Sequence, residues 1–259
     1  MANTTSKIFA LALTGVCAST SANAAGWQLS DYSVAGLGRA YAGGGVVGDD
    51  YSALAYNPAG MTLGGSGVQA GVSVIQLHSD VTGEYPAGSG KRDSTNVDVT
   101  TEVPNFFAQY KVNDRVAVGF GVYVPFGLAI EYPKDWIGTD HGIDSELAVI
   151  DYSTAVAVKA TDKLSLGLGV FARNANVDLT SSMSGFENEF DLEDWGWGLH
   201  VGAMYEFTKN TRLGVSYRSR SQHQIKGDFD FLKGASPALG GLASYAGTYD
   251  AKLPMDAPE

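Results

Sequence analysis

From Gly67 onward, hydrophobic residues recur at every second position in a series of runs. "VQAGVSV" sets Val68, Ala70, Val72 and Val74 against Gln69, Gly71 and Ser73, and "VAVGFGVYVPF" sets Val116, Val118, Phe120, Val122, Val124 and Phe126 against Ala117, Gly119, Gly121 and Tyr123. In "LSLGLGVFARNA", Leu164, Leu166, Leu168 and Val170 oppose Ser165, Gly167, Gly169, Phe171 and Arg173. In "WGWGLHVGAMYEF", Trp195, Trp197, Leu199, Val201, Ala203, Tyr205 and Phe207 oppose Gly196, Gly198, His200, Gly202, Met204 and Glu206. In "LGVSYRSR", Leu213, Val215 and Tyr217 oppose Gly214, Ser216, Arg218 and Arg220. A two-residue period belongs to a β-strand, whose successive side chains point to opposite faces. The pattern predicts an all-β protein of seven strands, with an eighth beginning near Gly247.

The composition of the two faces selects the kind of sheet. In a soluble sandwich the apolar faces meet each other and the polar faces look outward. Here the face opposite the bulky residues is mostly glycine with a few long polar side chains. A barrel in lipid accounts for this better, with bulky residues on acyl chains and small ones around an enclosed lumen. Tyr132, Trp136, Trp195, Trp197, Tyr205 and Phe207 near strand ends suit an interfacial girdle. "VNDR" at 112–115, "TDK" at 161–163 and "TKNT" at 208–211 predict tight turns on one side, and 133–144 and 180–194 predict long loops on the other. The expected fold is a transmembrane antiparallel β-barrel.

One strand breaks its own pattern. "VAVGFGVYVPFGLAIEY" alternates cleanly until Pro125, which cannot donate to a ladder and belongs at an edge, a bulge or an interruption.

The first residues add an address. Lys7, an apolar run from Ile8 to Val16, and small residues at Ala22 and Ala24 predict a secretory signal peptide over 1–24. A lipid-attachment box at Cys17 fits poorly, because Val16 is bulky. Cys17 is the sole cysteine, so the mature chain holds no disulfide, thiolate metal site or cysteine nucleophile. A formal net charge of −11 argues against nucleic acid as a partner. Past Ala25 no apolar run approaches the roughly 20 residues of a membrane-spanning helix.

Enzyme-like signals are weak. "GSGK" at 88–91 has Tyr85 and Arg92 where a phosphate loop needs glycine and a hydroxyl, and "GLGRAY" at 36–41 lacks the third glycine of a dinucleotide fingerprint. His78, His141, His200 and His223 have no metal-ligand spacing. No serine stands in a GxSxG elbow, which leaves an esterase or lipase as a minor alternative. Neither a cofactor nor a metal is expected. Arg173, Arg218 and Arg220 carry more chemistry, since the alternation turns all three toward the lumen. Either they form internal salt bridges to acids such as Asp151 or Glu206, or they anchor a carboxylate while Phe171, Leu147, Val149 and Met204 line a hydrophobic path.

Residues 25–65 do not alternate, and their small, mildly apolar composition suits a compact plug in a lumen. Here "GLGRAY", "DD" and Asn57-Pro58-Ala59, in this order, resemble the hatch of the FadL family of outer-membrane transporters for hydrophobic compounds. "VPNFF" at 103–107, "FGLAIEY" at 126–132 and "WGWGLHVGAMYEFTKNTRLGVSYRS" at 195–219 extend the resemblance over nearly the whole chain. It implies a hatch over 25–65 and, over 66–259, the first part of a barrel of roughly fourteen strands, an even number as bacterial barrels have. That is about half a wall, which is not expected to work alone.

The resemblance further implies passive uptake across the Gram-negative outer membrane of a long-chain fatty acid, with an aromatic hydrocarbon as the alternative. An adhesin or structural porin is a reading of another class. Expected partners are the hydrophobic ligand and outer-membrane lipid, with a monomeric state. The implied ligand site includes Trp27 and Arg173, to which the reading of the lumen face adds Phe171, Met204 and Arg218. The implied lateral opening is an inward kink of the third strand through Pro125, Phe126, Gly127, Leu128, Ala129 and Ile130.

Overall fold

The computed structural model describes residues 28–257, except 85–87, 140–141, 184, 209, 234, 236–240 and 242–244. The leader and Trp27 lie outside the described residues. The strands are β1 (Gly67–Glu84), β2 (Arg92–Lys111), β3 (Val116–Glu131), β4 (Asp144–Lys159), β5 (Leu164–Met183), β6 (Phe186–Thr208), β7 (Thr211–Arg218), β8 (Ser221–Lys233) and β9 (Gly247–Ala257). They form one antiparallel sheet in chain order, except that β7 and β8 both pair with β6. β7 takes the C-terminal part of β6, from His200↔Arg218 to Thr208↔Thr211, and β8 takes the N-terminal part, from Glu187↔Lys233 to Glu193↔Lys226. The two are therefore successive pieces of one traverse, and the sheet has eight.

The tight turns form where their polar residues replace lost ladder bonds. Asn113 Oδ1 accepts from the backbone N–H groups of Arg115 and Val116, and Thr161 Oγ1 from those of Lys163 and Leu164. The expectation of a long loop over 180–194 is corrected. β5 and β6 continue as a paired ribbon through Thr180↔Glu189 to Met183↔Phe186. Polar residues on both faces hide the strand period there, although backbone pairing needs no apolar face. Tyr132 and Trp136 are also reassigned. They stack on each other at 4.5 Å within the β3–β4 connection, where Trp136 Nε1 donates to the Gly142 carbonyl.

The two faces separate as the alternation requires. Leu166, Leu168, Val170, Trp195, Trp197, Leu199 and Val201 are exposed on the outside, while Phe171, Met204 and the glycines of the same strands face inward. Above the outward aromatics Tyr152, Trp195 and Trp197 runs a row of exposed carboxylates: Glu146, Asp178, Asp191, Asp228 and Asp250, each directly opposite the next across adjacent strands. Like charges so placed repel one another, so this row belongs in water and marks the upper limit of the apolar band.

Residues 28–66 cover the inner face. They contain two short helices, α1 (Val34–Gly38) and α2 (Ala53–Tyr56), and a 3-10 turn over Pro58–Leu63. Asn57 caps that turn by accepting from Ala59 N at 3.0 Å, and Pro58 occupies the first helical position, where a missing N–H costs nothing. The Asn57 amide also donates to the carbonyls of Gly45 (2.8 Å) and Ala203 (3.3 Å). Gln109 donates to Met61 and Gly65, and Thr62 meets Ser165 at 2.7 Å. Leu54, Met61, Phe107 and Tyr123 form the apolar contact between segment and wall.

Candidate binding site

Two bulges place the chemistry. In β3, Tyr123 pairs with Asp151 but Phe126 pairs with Val149, so three residues of β3 span two of β4. The extra residue falls at Val124–Pro125, where the proline has no N–H to offer. Alternation predicted that Phe126 faces outward; the bulge instead turns it inward, against a guanidinium. Leu128, Ala129 and Ile130 resume the ladder with β4, opposite Leu147, Glu146 and Ser145.

The other edge of β3 is open above the bulge. Its pairing with β2 stops at Phe106↔Val122, so a seam separates the two strands beyond that pair. Residues 28 and 29 sit at this seam. Leu29 N donates to the Pro125 carbonyl at 2.8 Å, and Gln28 bridges to Phe126. A cavity of about 310 Å³ follows the seam, bounded by Leu29, Val103, Pro104, Leu128 and Leu147. A side chain at Gly127 would crowd Leu29, since its Cβ would lie 3.3 Å from Cδ1.

The second bulge separates β7 from β8 at Ser219–Arg220. One extra residue moves the inward series from Gly214, Ser216 and Arg218 to Ser221, His223 and Ile225. Arg220, expected in the lumen, is therefore exposed within the break and outside the cluster. A slip of one residue reverses every side chain beyond it.

Between the bulges two arginines share one acid. Arg173 is 1% exposed and Asp151 fully buried. Arg173 donates from Nε to Asp151 Oδ1 (2.7 Å), from Nη2 to Oδ2 (3.0 Å) and from Nη1 to Ser221 Oγ (2.9 Å). Arg218 donates to the same Asp151 Oδ2 and to the Tyr123 hydroxyl. Its guanidinium lies 3.9 Å from the Phe171 ring centroid, and its buried Nε has no hydrogen-bond partner among the described residues. The internal salt bridge thus exists, yet Asp151 neutralises only one of the two cations. Among the described residues one positive charge and one donor are left over, and both arginines line a cavity of about 290 Å³ with Gln28, Tyr32, Tyr56 and Phe126.

Tyr32 packs at a tilt between Tyr56 and Tyr123, with ring centroids 5.0 and 4.8 Å away, and burial raises its phenol far above the usual range. Burial also pushes Tyr56 up to about 12, so both stay neutral at physiological pH. Above the arginines, Val149, Ala175, Val177, Leu192 and Ile225 form an apolar inner wall joined by Phe126 and Leu147.

Arg173, Arg218, Phe171 and Phe126 are brought together, as are Pro125 and residues 28–32. Met204 is not. It is buried opposite Ser165 on the β5 side and Gly214 on the β7 side, eight residues along β6 from Gly196, which pairs with Arg173. Asn57, Pro58 and Ala59 anchor the inner segment to β5 and β6 at Gly167 and Gly202, away from the arginines. Sequence reasoning missed Tyr32, Leu29, Tyr123 and Ser221. Ser221 directly follows Arg220, so alternation placed it on the outer face, and only the bulge turns it inward.

A sheet with its apolar face outward and its glycine-lined face inward defines the wall of a β-barrel membrane protein. The chain belongs to the family described as outer membrane protein transport protein (OMPP1/FadL/TodX), whose pattern matches residues 15–259. It is 32% identical over 281 residues to outer membrane protein P1 of Haemophilus influenzae, covering 88% of this chain and 59% of that protein. Against the long-chain fatty acid transport protein of Escherichia coli K12 it is 28% identical over 256 residues, covering 85% and 57%. Among solved structures, a Pseudomonas aeruginosa FadL homologue aligns with a TM-score of 0.64 at 23% identity, over 80% of this chain and 55% of that one. The Pseudomonas putida toluene transporter TodX aligns at 0.54 and 19%, over 79% and 56%. The chain spans a little over half the length of these relatives.

Proposed function

We propose that the protein serves passive outer-membrane uptake of a long-chain fatty acid, bound by its carboxylate at Arg218 and Arg173 and released sideways at the β2–β3 seam. The observation carrying this reading is the uncompensated cation at the Phe171–Phe126 cavity. A carboxylate would supply the missing charge and accept from the free Nε of Arg218. The apolar wall above suits an acyl tail. Residues 28–65 act as the hatch, and a path through them would deliver an insoluble molecule into water. The seam opens toward lipid instead. The leader over 1–24 directs export in a Gram-negative cell, and the complete barrel works as a monomer without cofactor or energy source. The family resemblance assigns Trp27 to the same ligand site in this reading.

Binding of oleate, methyl oleate and toluene to the complete protein tests the reading. Arg218→Met is expected to weaken oleate by about 1.5 to 3 kcal/mol, the range for a hydrogen bond to a charged group. Methyl oleate should change little. Equal losses would reduce the arginines to a structural role, and toluene preferred over oleate would favour an aromatic hydrocarbon as cargo.

A further inference from the structure

The β7–β8 break does more than shift register. Between His200↔Arg218 and Glu193↔Lys226 no register pair joins β6 to its neighbour. At one end Ser219 N still donates to the Leu199 carbonyl at 2.7 Å, and side chains add to the two ends. Ser219 Oγ accepts from Leu199 N at 2.8 Å, and the Asp194 carboxylate accepts from Gln224 N at 2.9 Å. Within the break, the His223 side chain is fully buried against Gly196, where a Cβ would run into the imidazole.

His223 Nε2 lies 3.1 Å from Ser221 Oγ, and His223 Nδ1 lies 3.4 Å from Asp194 Oδ2. Ser221 already accepts from Arg173 Nη1, so its own single hydrogen is free for an acceptor. An unprotonated Nε2 takes it, which places the imidazole hydrogen on Nδ1, facing Asp194. The result is one directed chain. Ser221 donates to His223 and Arg173 to Ser221, while Arg173 and Arg218 both donate to Asp151; His223 Nδ1 faces Asp194 across 3.4 Å without completing a hydrogen bond. Asp194, Ser221 and His223 are not among the residues lining the arginine cavity.

We infer that Ser221, His223 and Asp194 are positioning residues that hold Arg173 on Asp151 and so direct the excess charge to Arg218, making the site selective for an ionised ligand. This rests on the carboxylate reading above. The reason is competition for Asp151. While Arg173 engages both its oxygens, Arg218 shares only Oδ2 and keeps Nε for a ligand. Without the Ser221 acceptor Arg173 can turn away, Asp151 becomes available to Arg218 at both oxygens, and the unpartnered Nε of Arg218 is consumed. None of the three residues needs to touch the ligand.

The experiment compares oleate and methyl oleate binding to the complete protein carrying Ser221→Ala, His223→Phe, His223→Gln or Arg218→Met, each shown to fold by its heat-modifiable mobility. Ser221→Ala removes a single oxygen and should leave the barrel intact. The relay predicts that Ser221→Ala and His223→Phe weaken oleate about tenfold or more, the lower end of what groups orienting metal ligands contribute. Methyl oleate should not respond, and His223→Gln, which keeps an acceptor for Ser221, should restore most of the oleate affinity. If Arg218→Met discriminates between the ligands while Ser221→Ala and His223→Phe leave oleate unchanged, or weaken both ligands alike, the relay is overturned and the carboxylate site stands. If Arg218→Met does not discriminate either, both fail together.

Discussion

A methyl group added at Gly202 would collide with Oδ1 of Asn57, and one added at Gly167 would meet the backbone of Pro58 and Ala59. These glycines therefore serve as the floor on which the Asn-Pro-Ala turn rests, and the small inward face has a packing purpose besides leaving space. Gly202→Ala should displace the turn, because both Asn57 Oδ1 and the neighbouring wall are fixed by hydrogen bonds. The expected result is faster protease cleavage within 28–66 with an unchanged heat-modifiable barrel. Unchanged cleavage would show that the segment adapts. Arg173 was identifiable as a lumen residue from its register with Gly167 and Gly169. Asp151 was one of the two acids named as its partner, but that Arg218 shares the same acid was not legible, because the three residues come from three different strands.

At the scale of the element, β3 carries one residue more than its partner needs. With Pro125 deleted, Tyr123↔Asp151, Val124↔Ile150 and Phe126↔Val149 would form an uninterrupted ladder, and Phe126 would still face inward. The deletion therefore removes the bulge and the acceptor of Leu29 without reversing any downstream side chain. If the seam is the way out, uptake of labelled oleate should fall sharply while binding to the purified protein persists. Unchanged uptake with a demonstrably continuous strand would exclude the seam as the route. Proline in an alternating run was a legible warning of an interruption. Which edge it opens was not, because that depends on where β2 stops pairing.

For the whole molecule, the outward band is the membrane contact in this reading. Along β5 it runs from Leu166 through Leu168 and Val170 before Asn174, Asn176 and Asp178 follow on the same face. Leu168→Arg should destabilise the barrel in a bilayer by about 2 to 4 kcal/mol, the cost of a cation near the hydrocarbon midplane. Folding yield into vesicles against denaturant measures it, and an equal stability would place the membrane elsewhere on the wall. The carboxylate row above sets the opposite limit, and Asp178→Leu should be tolerated far better.

The strand period, the inside and outside of each strand between bulges, the tight turns and the departure of residues 25–65 from alternation were all legible in the order of amino acids. Each follows from chemistry local to a few residues: side chains alternate along any strand, and asparagine and threonine close turns with their own oxygens. The family was legible there too, through motifs read in order. The tertiary structure alone decided what depends on register. One extra residue in β3 and one between β7 and β8 are invisible in a pattern of alternating residues, since each half still alternates. Their effect is to reverse Phe126, exclude Arg220 and turn Ser221 and His223 inward. The pairing of two arginines with one buried acid, the seam beside β3 and the docking of Leu29 on Pro125 arise only when distant segments meet, because no single segment holds enough of the charge or the backbone to define them.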